Sequence, residues 1–460
     1  MNYSIARKRY KYYSIGHPQQ AVLSGILTGA LCIALNIYWL SAIGVGAFSY
    51  YLVRLLLETG EDITIENLIM VIASLQWIIG PVLSYQGFSQ HYKYYMYVPE
   101  EQYMALAVPG VVLFSIGLYY FRPKKRALVL DRLGLIAKGI VNKNRQLPFY
   151  LIATGFLFSF VLPHVPASLH FPFHVLSNVK YIGIIYLLFS DRYKNKALIL
   201  AVSFALSFLS SLNSAMFHDL ILWFSFIGMY YAFIKKPSVG KKLLIIGIII
   251  VGIFILQSVK HTYRETLKET GHSNALSKFA SSVEQSFDDN EDKGSMENFV
   301  NRINQGWIIS RIMLNVPNKV PYADGETVLT AGKAAILPRV LFPDKPKAGG
   351  RLNYQKYTGY RLTSSTSMGI SLLGESYINY GLVGGWIFML VMGLAFSYAI
   401  KLLFLLVYKY PTFWLWLPLV LLHFVKAETE LLVQLNFLVK SAILVIAFLF
   451  LNKMFLKIKF

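Results

Sequence analysis

Long apolar runs, mostly of about 17 residues or more and separated by short polar breaks, set the limits on what this chain can fold into. A hydrocarbon core of ~30 Å is crossed by a helix of about 20 residues. Lipid offers the backbone no hydrogen-bond partner, so a run in that setting must be helical or belong to a closed barrel. A barrel would alternate apolar and polar residues over segments of about ten, and no such segment is visible. Composition agrees: 55% of 460 residues are hydrophobic and 15% charged, too little charged surface for a soluble chain of this length. The expected fold class is an all-α membrane protein with about 12 transmembrane helices and one large extracytoplasmic loop.

Residues 21–57 form one apolar stretch whose single charge is Arg54. Its length predicts a hairpin of two helices turning near Asn36-Ile37-Tyr38. Further spans are expected at 66–87, 102–121, 147–163, 175–190, 196–211, 217–234, 243–259, 377–400, 411–425 and 431–452. The basic stretch Arg7-Lys8-Arg9-Tyr10-Lys11 precedes the first run with no small-residue cleavage pattern, which predicts a retained first helix. The single cysteine, Cys32, excludes an intrachain disulfide. A net charge of +21 does not point to nucleic acid, because the basic residues are dispersed over loops between spans.

Those loops predict orientation. Lys and Arg concentrate at 122–145, 191–196, 235–242 and the C-terminal tail, while 164–174 and 211–216 have none and 88–101 has only Lys93. The positive-inside asymmetry then puts both termini in the cytoplasm. The acidic turn Glu58 to Asp62 runs against it. Three regions follow: an N-terminal bundle of about nine helices (1–259), a large outer loop (260–369) and a C-terminal bundle of about three helices (370–460). Tyr92, Tyr94, Tyr95 and Tyr97 suit an interfacial belt or sugar stacking.

The outer loop has two characters. Residues 260–297 hold five Lys/Arg against eight Asp/Glu, and the run 288–292 reads as a mobile solvated strip. Residues 298–369 hold ten Lys/Arg against three Asp/Glu. Arg302, Arg311, Arg339, Lys345, Lys347, Arg351 and Arg361 lie there among Gly and Pro residues, Gly350 included. Guanidinium groups bind phosphate in a bidentate fork, and glycines let backbone N–H groups approach an anion. Resting on anionic lipid headgroups is the plainer role for the same charges.

The stretch Leu337-Pro338-Arg339-Val340-Leu341-Phe342-Pro343-Asp344-Lys345-Pro346 is similar to a segment in the long periplasmic loop of O-antigen polymerase (Wzy-type) proteins. So is the segment from Gly369 to Gly384, with its pattern Gly374-Glu375-x-Tyr377-x-Asn379-x-Gly381, and Arg339 followed by ten residues and Gly350 fits the family's Arg-x10-Gly spacing. The likeness covers about residues 300–385 and extends to O-antigen ligases, which share the topology. It implies a C-type glycosyltransferase-like architecture in the bacterial cytoplasmic (inner) membrane. The implied activity is polymerisation of undecaprenyl-pyrophosphate-linked oligosaccharide repeat units into surface polysaccharide, such as the O-antigen of lipopolysaccharide, capsule or exopolysaccharide. The implied partners are that lipid-linked glycan, membrane lipids, a flippase and a chain-length regulator. The alternatives are an O-antigen ligase and a non-catalytic lipid-linked sugar flippase or transporter.

Such a transfer needs cations for the departing pyrophosphate and a group that takes the attacking hydroxyl's proton. Arg339 is the expected catalytic cation, with Arg302, Arg311, Lys345, Arg351, Arg361 and Gly350 as substrate-binding residues. His218, at the outer end of a span, and Glu375 are the expected bases. Each has a plainer role, His218 as a helix-end residue paired with Asp219 and Glu375 as the partner of a loop arginine. His164, His170 and His174 share an outer loop at intervals that suit zinc poorly. The first outer turn, Asn36-Ile37-Tyr38-Trp39, has no acidic residue. No cofactor and no metal are expected.

Overall fold

A computed structural model of the chain describes residues 17–248 apart from 90, 124, 125, 167, 192, 194, 215 and 216; 252, 259, 263, 266 and 267; 275–288; 292–336; 350–363; 368–455; and 457. Among these residues every regular element is a helix. The first two, α1 (His17–Ala34) and α2 (Trp39–Glu58), form the expected hairpin. It turns through Asn36, whose positive φ of 61° suits a short polar side chain. The two helices touch backbone to backbone, since a Cβ on Gly46 would stand 2.6 Å from the Gly25 carbonyl oxygen. Apolar lipid gives helices little reason to associate, so close approach at small residues supplies the attraction.

Among the described residues seven helices are long and apolar enough to cross a membrane. They are α2, α3 (Ile65–Tyr85), α4 (Glu100–Tyr120), α6 (Leu147–His164), α7 (His170–Phe189), α15 (Ser371–Leu405) and α16 (Leu431–Phe455). The expected spans at 196–211 and 217–234 are helices α8 (Lys196–Ser214) and α9 (His218–Lys235). The span expected at 243–259 falls mostly outside the described residues. Helices α4 and α15 cross at Gly117 and Gly393, where a Cβ on Gly393 would collide with the Phe114 carbonyl. One continuous buried core joins helices from both ends of the chain.

The loop read as a basic inner connection contains a helix, α5 (Arg126–Lys143). Leu130, Leu133, Ala137 and Val141 line its buried face at helical spacing. Arg126 at its start is 4% exposed and donates to Asp62 and to Glu66, while Arg122 donates to Glu58 and Asp62. The acidic turn that ran against the charge rule is therefore the partner of these arginines. Burial alone would raise the Asp62 pKa, but the Arg126 and Arg122 guanidinium groups override it and hold the carboxyl below its usual range.

The opposite end of the bundle carries the large loop. Its described parts are α10 (Ala275–Asp288), α11 (Asp292–Ile303), α12 (Gly306–Asn315), α13 (Glu326–Ile336) and α14 (Arg351–Thr358). The run 288–292 lies mostly outside the described residues; before it on α10, Phe279 and Val283, one turn apart, pack on Leu212, Phe217 and Tyr263. The basic half sinks into the bundle, with Trp307, Ile308, Ile309 and Ile312 buried. A π-helical turn at Leu75–Ile79 breaks the regular ladder of α3, and the Gln76 carbonyl accepts from the backbone N–H of Gln305 at 3.1 Å.

The expected span at 411–425 is not a helix. Residues 411–430 climb through the bundle as short 3-10 and α turns and irregular backbone, nearly all buried. At the far end Tyr186 Oη donates to Thr412 Oγ1 and Tyr230 Oη to the Trp414 carbonyl. At the loop end the backbone N–H of Leu431 donates to Glu375. Pro411 and Pro418 remove backbone donors, and four large side chains, Phe413, Trp414, Leu415 and Trp416, each claim a buried niche. The C-terminal region thus has two long helices around an irregular crossing, not three helices.

Candidate functional site

Irregular backbone inside a membrane bundle must be walled off from lipid and have its polar groups satisfied by protein or water. Here it brings ionisable side chains to the loop end of the bundle. Lys426, Glu428 and Glu430 alternate along the top of the crossing. Lys426, 8% exposed, places Nζ 2.5 Å from Asp219 Oδ1. His218 Nε2 stands 3.2 Å from Glu428 Oε1. That is ion-pair range but off the hydrogen-bond direction, and His218 Nε2, Glu428 Oε2 and His423 Nδ1 are buried without a hydrogen-bond partner among the described residues. Unsatisfied buried polar atoms are costly unless something else comes to meet them. His174 joins the same electrostatic neighbourhood, and the His423 ring stacks on Phe437 at 4.1 Å.

His218 therefore sits at the start of α9 as expected, but its partner is Glu428 and the partner of Asp219 is Lys426. Glu375 meets the same crossing from its other side. It is 1% exposed, with Oε1 accepting from Thr327 Oγ1 at 2.7 Å and Oε2 from the Leu431 N–H at 2.8 Å. Asn379 donates to Thr327 Oγ1 at 2.8 Å and accepts from the Gly325 N–H at 3.0 Å. Gly381, at a positive φ of 64°, lets Tyr322 lie against the kinked head of α15. The Gly-Glu-x-Tyr-x-Asn-x-Gly pattern thus fastens the turn 322–327 and the start of α16 to α15. Both carboxylate oxygens of Glu375 are engaged within the fold, and its partners are a threonine and a backbone amide, not the arginine considered from sequence.

The basic residues separate. Arg311 lies between the rings of Tyr97 and Tyr360, 4.9 and 4.7 Å from their centroids, and donates to the Thr358 carbonyl. Tyr94 packs on Trp307 at 5.1 Å. Arg311 and the tyrosine group thus tie the large loop to the segment before α4, while Tyr92 and Tyr95 keep exposed rings. Arg351 opens α14 and donates to the Leu362 carbonyl at 3.0 Å. Arg302 and Arg361 are exposed. Gly350 holds a positive φ of 67°, and a Cβ there would stand 2.8 Å from the Met368 carbonyl oxygen, so it is needed for close packing. Arg339 and Lys345 lie outside the described residues. Among the described residues no group of three or more His, Cys, Asp or Glu could hold a metal ion.

A family model described as Domain of unknown function (DUF8712) matches residues 131–404, more than half of the chain. The chain belongs to the DUF8712 family. The DUF8712 segment contains His218, Glu375 and all the loop residues singled out from sequence, whereas Lys426, Glu428 and Glu430 lie beyond it. No curated protein and no solved structure matches the chain.

Proposed function

We propose that this DUF8712 protein is a membrane glycosyltransferase that polymerises polyprenyl-pyrophosphate-linked oligosaccharides at the outer face of a bacterial cytoplasmic membrane. The reading rests on the likeness of its loop segments to O-antigen polymerases, and the observation that carries it is the buried crossing that brings His218 and Glu428 together beneath the large loop. In the proposed reaction a hydroxyl of the incoming lipid-linked repeat attacks the anomeric carbon of the growing glycan. The bond from that carbon to the pyrophosphate oxygen breaks, and polyprenyl pyrophosphate leaves with the electron pair. His218 Nε2 takes the hydroxyl proton, and Glu428 stabilises the imidazolium that results. Lys426 and Asp219 hold the segment that carries Glu428. Arg339 stabilises the developing charge on the leaving group. Both substrates are anchored in lipid, so confinement to the interface supplies much of the orientation.

A lipid-linked sugar flippase is the second reading. Ionisable residues on a broken crossing, here Lys426 and Glu430 with Lys180 nearby in the bundle, also suit alternating access. Immunoblotting of surface glycan after deletion of the gene tests both. Single-repeat products support the polymerase. Unattached long chains indicate a ligase, and loss of all lipid-linked product at the surface indicates a flippase.

A further inference from the structure

Beside the top of the crossing lies a cavity of about 250 Å³ that the transfer chemistry described above does not use. Its walls come from α13, from the first turns of α14 and from Glu430 and Leu432. Glu430 is 2% exposed and accepts from Asn353 Nδ2 at 3.0 Å. Thr327, Thr330 and Tyr357 add hydroxyls, and Lys356 and Glu326 stand at the rim as a pair 3.4 Å apart. The Tyr357 hydroxyl is buried and donates to no described group. Leu432 gives an apolar patch.

The charge of this lining selects its occupant. Among the described residues that line it, two carboxylates stand against one ammonium, a balance that disfavours pyrophosphate and phosphate. Carboxylates and hydroxyls accept from, and an amide and a phenol donate to, the alternating hydroxyls of a sugar ring, while an apolar patch suits the C–H face of the same ring. At about 250 Å³ the cavity is below the ~300–1,000 Å³ of drug-sized sites, which fits one ring rather than a chain. Glu430 is two residues from Glu428, the partner of His218, so the cavity adjoins the proposed reacting centre. We infer that it binds one uncharged sugar residue, a neutral hexose or N-acetylhexosamine, of the glycan. This rests on the polymerase reading for the identity of the glycan, but not for the binding itself.

The test is amide hydrogen exchange on the purified full chain in detergent, with methyl glycosides of glucose, galactose and N-acetylglucosamine as probes and inorganic pyrophosphate as the counter-probe. At least one glycoside is expected to slow exchange in 326–336 and 351–358, and pyrophosphate is expected to leave both unchanged. Glu430→Gln should weaken that protection about tenfold or more, and Thr330→Trp, which fills the cavity from α13, should remove it. Absence of protection by every glycoside in the unmodified chain overturns the assignment, as does protection by pyrophosphate at lower concentration or protection that survives Thr330→Trp. Protection in a chain that forms no polymer keeps the cavity assignment and removes the polymerase reading. Polymerisation without protection does the reverse.

Discussion

Replacing Glu375 separates a strut from a base. Its carboxylate is 1% exposed and receives two hydrogen bonds, from the Thr327 hydroxyl and the Leu431 N–H. Glu375→Ala leaves both donors buried without a partner, at about 1–3 kcal/mol each, or about 2–6 kcal/mol before any packing loss. Glu375→Gln keeps one acceptor oxygen and the shape. Its amide can meet the Thr327 hydroxyl, which already accepts from Asn379 and can turn to accept again. The expected cost is about 1 kcal/mol. Urea unfolding in mixed micelles, followed by tryptophan fluorescence, reads the stability, and polymer formation per folded molecule reads the activity. The alanine variant should be strongly destabilised, and the glutamine variant should be slightly destabilised and polymerise within about threefold of the unmodified chain. A glutamine variant as stable as the parent but at least about 100-fold slower would place Glu375 against the substrate and refute the strut.

Three further outcomes are expected. Asp62 has a pKa held below the ordinary carboxyl value of about 3.9, so its contribution to stability is full above that value and is lost as pH falls through its folded pKa. The melting temperature of the solubilised chain should fall on acidification, and Asp62→Asn should flatten that fall; an unchanged acid limb would remove the cluster from the stability account. Gly393→Val forces α4 and α15 apart at the Phe114 carbonyl, with an expected loss of about 1–3 kcal/mol or more, and a melting temperature equal to the parent would show that the crossing is looser than described. Arg311→Lys keeps the charge but loses the flat contact with Tyr97 and Tyr360, so protease cleavage within the large loop should rise while polymer formation changes little; a collapse of activity without new cleavage would return Arg311 to the substrate.

The sequence is most informative where periodicity and length decide. The Asn36 turn and the helices at 66–87, 102–121 and 147–163 were legible because an apolar run has one solution in lipid. The same rule misplaced 411–425, since an apolar run walled in by protein has no need to be helical. The site followed that error. His218 could be picked out as a histidine at a helix start, but Lys426, Glu428 and Glu430 read as a turn between two spans. Three charges in five residues between apolar runs were the signal available for them. Arg311 shows the converse: a loop arginine is recognisable, whereas the two tyrosines that enclose it, 214 and 49 positions away in sequence, are brought together only by the fold.

The central claim is tested most directly by reconstituting the purified chain in lipid nanodiscs with polyprenyl-pyrophosphate-linked repeat units and resolving the products by size. The account predicts a ladder of lengthening glycans with release of polyprenyl pyrophosphate. His218→Ala, melting like the parent, should slow that ladder by about 100-fold or more, the share that a positioned general base supplies. A functional reconstitution in which repeat units remain single, or in which they cross the bilayer unjoined, would contradict it.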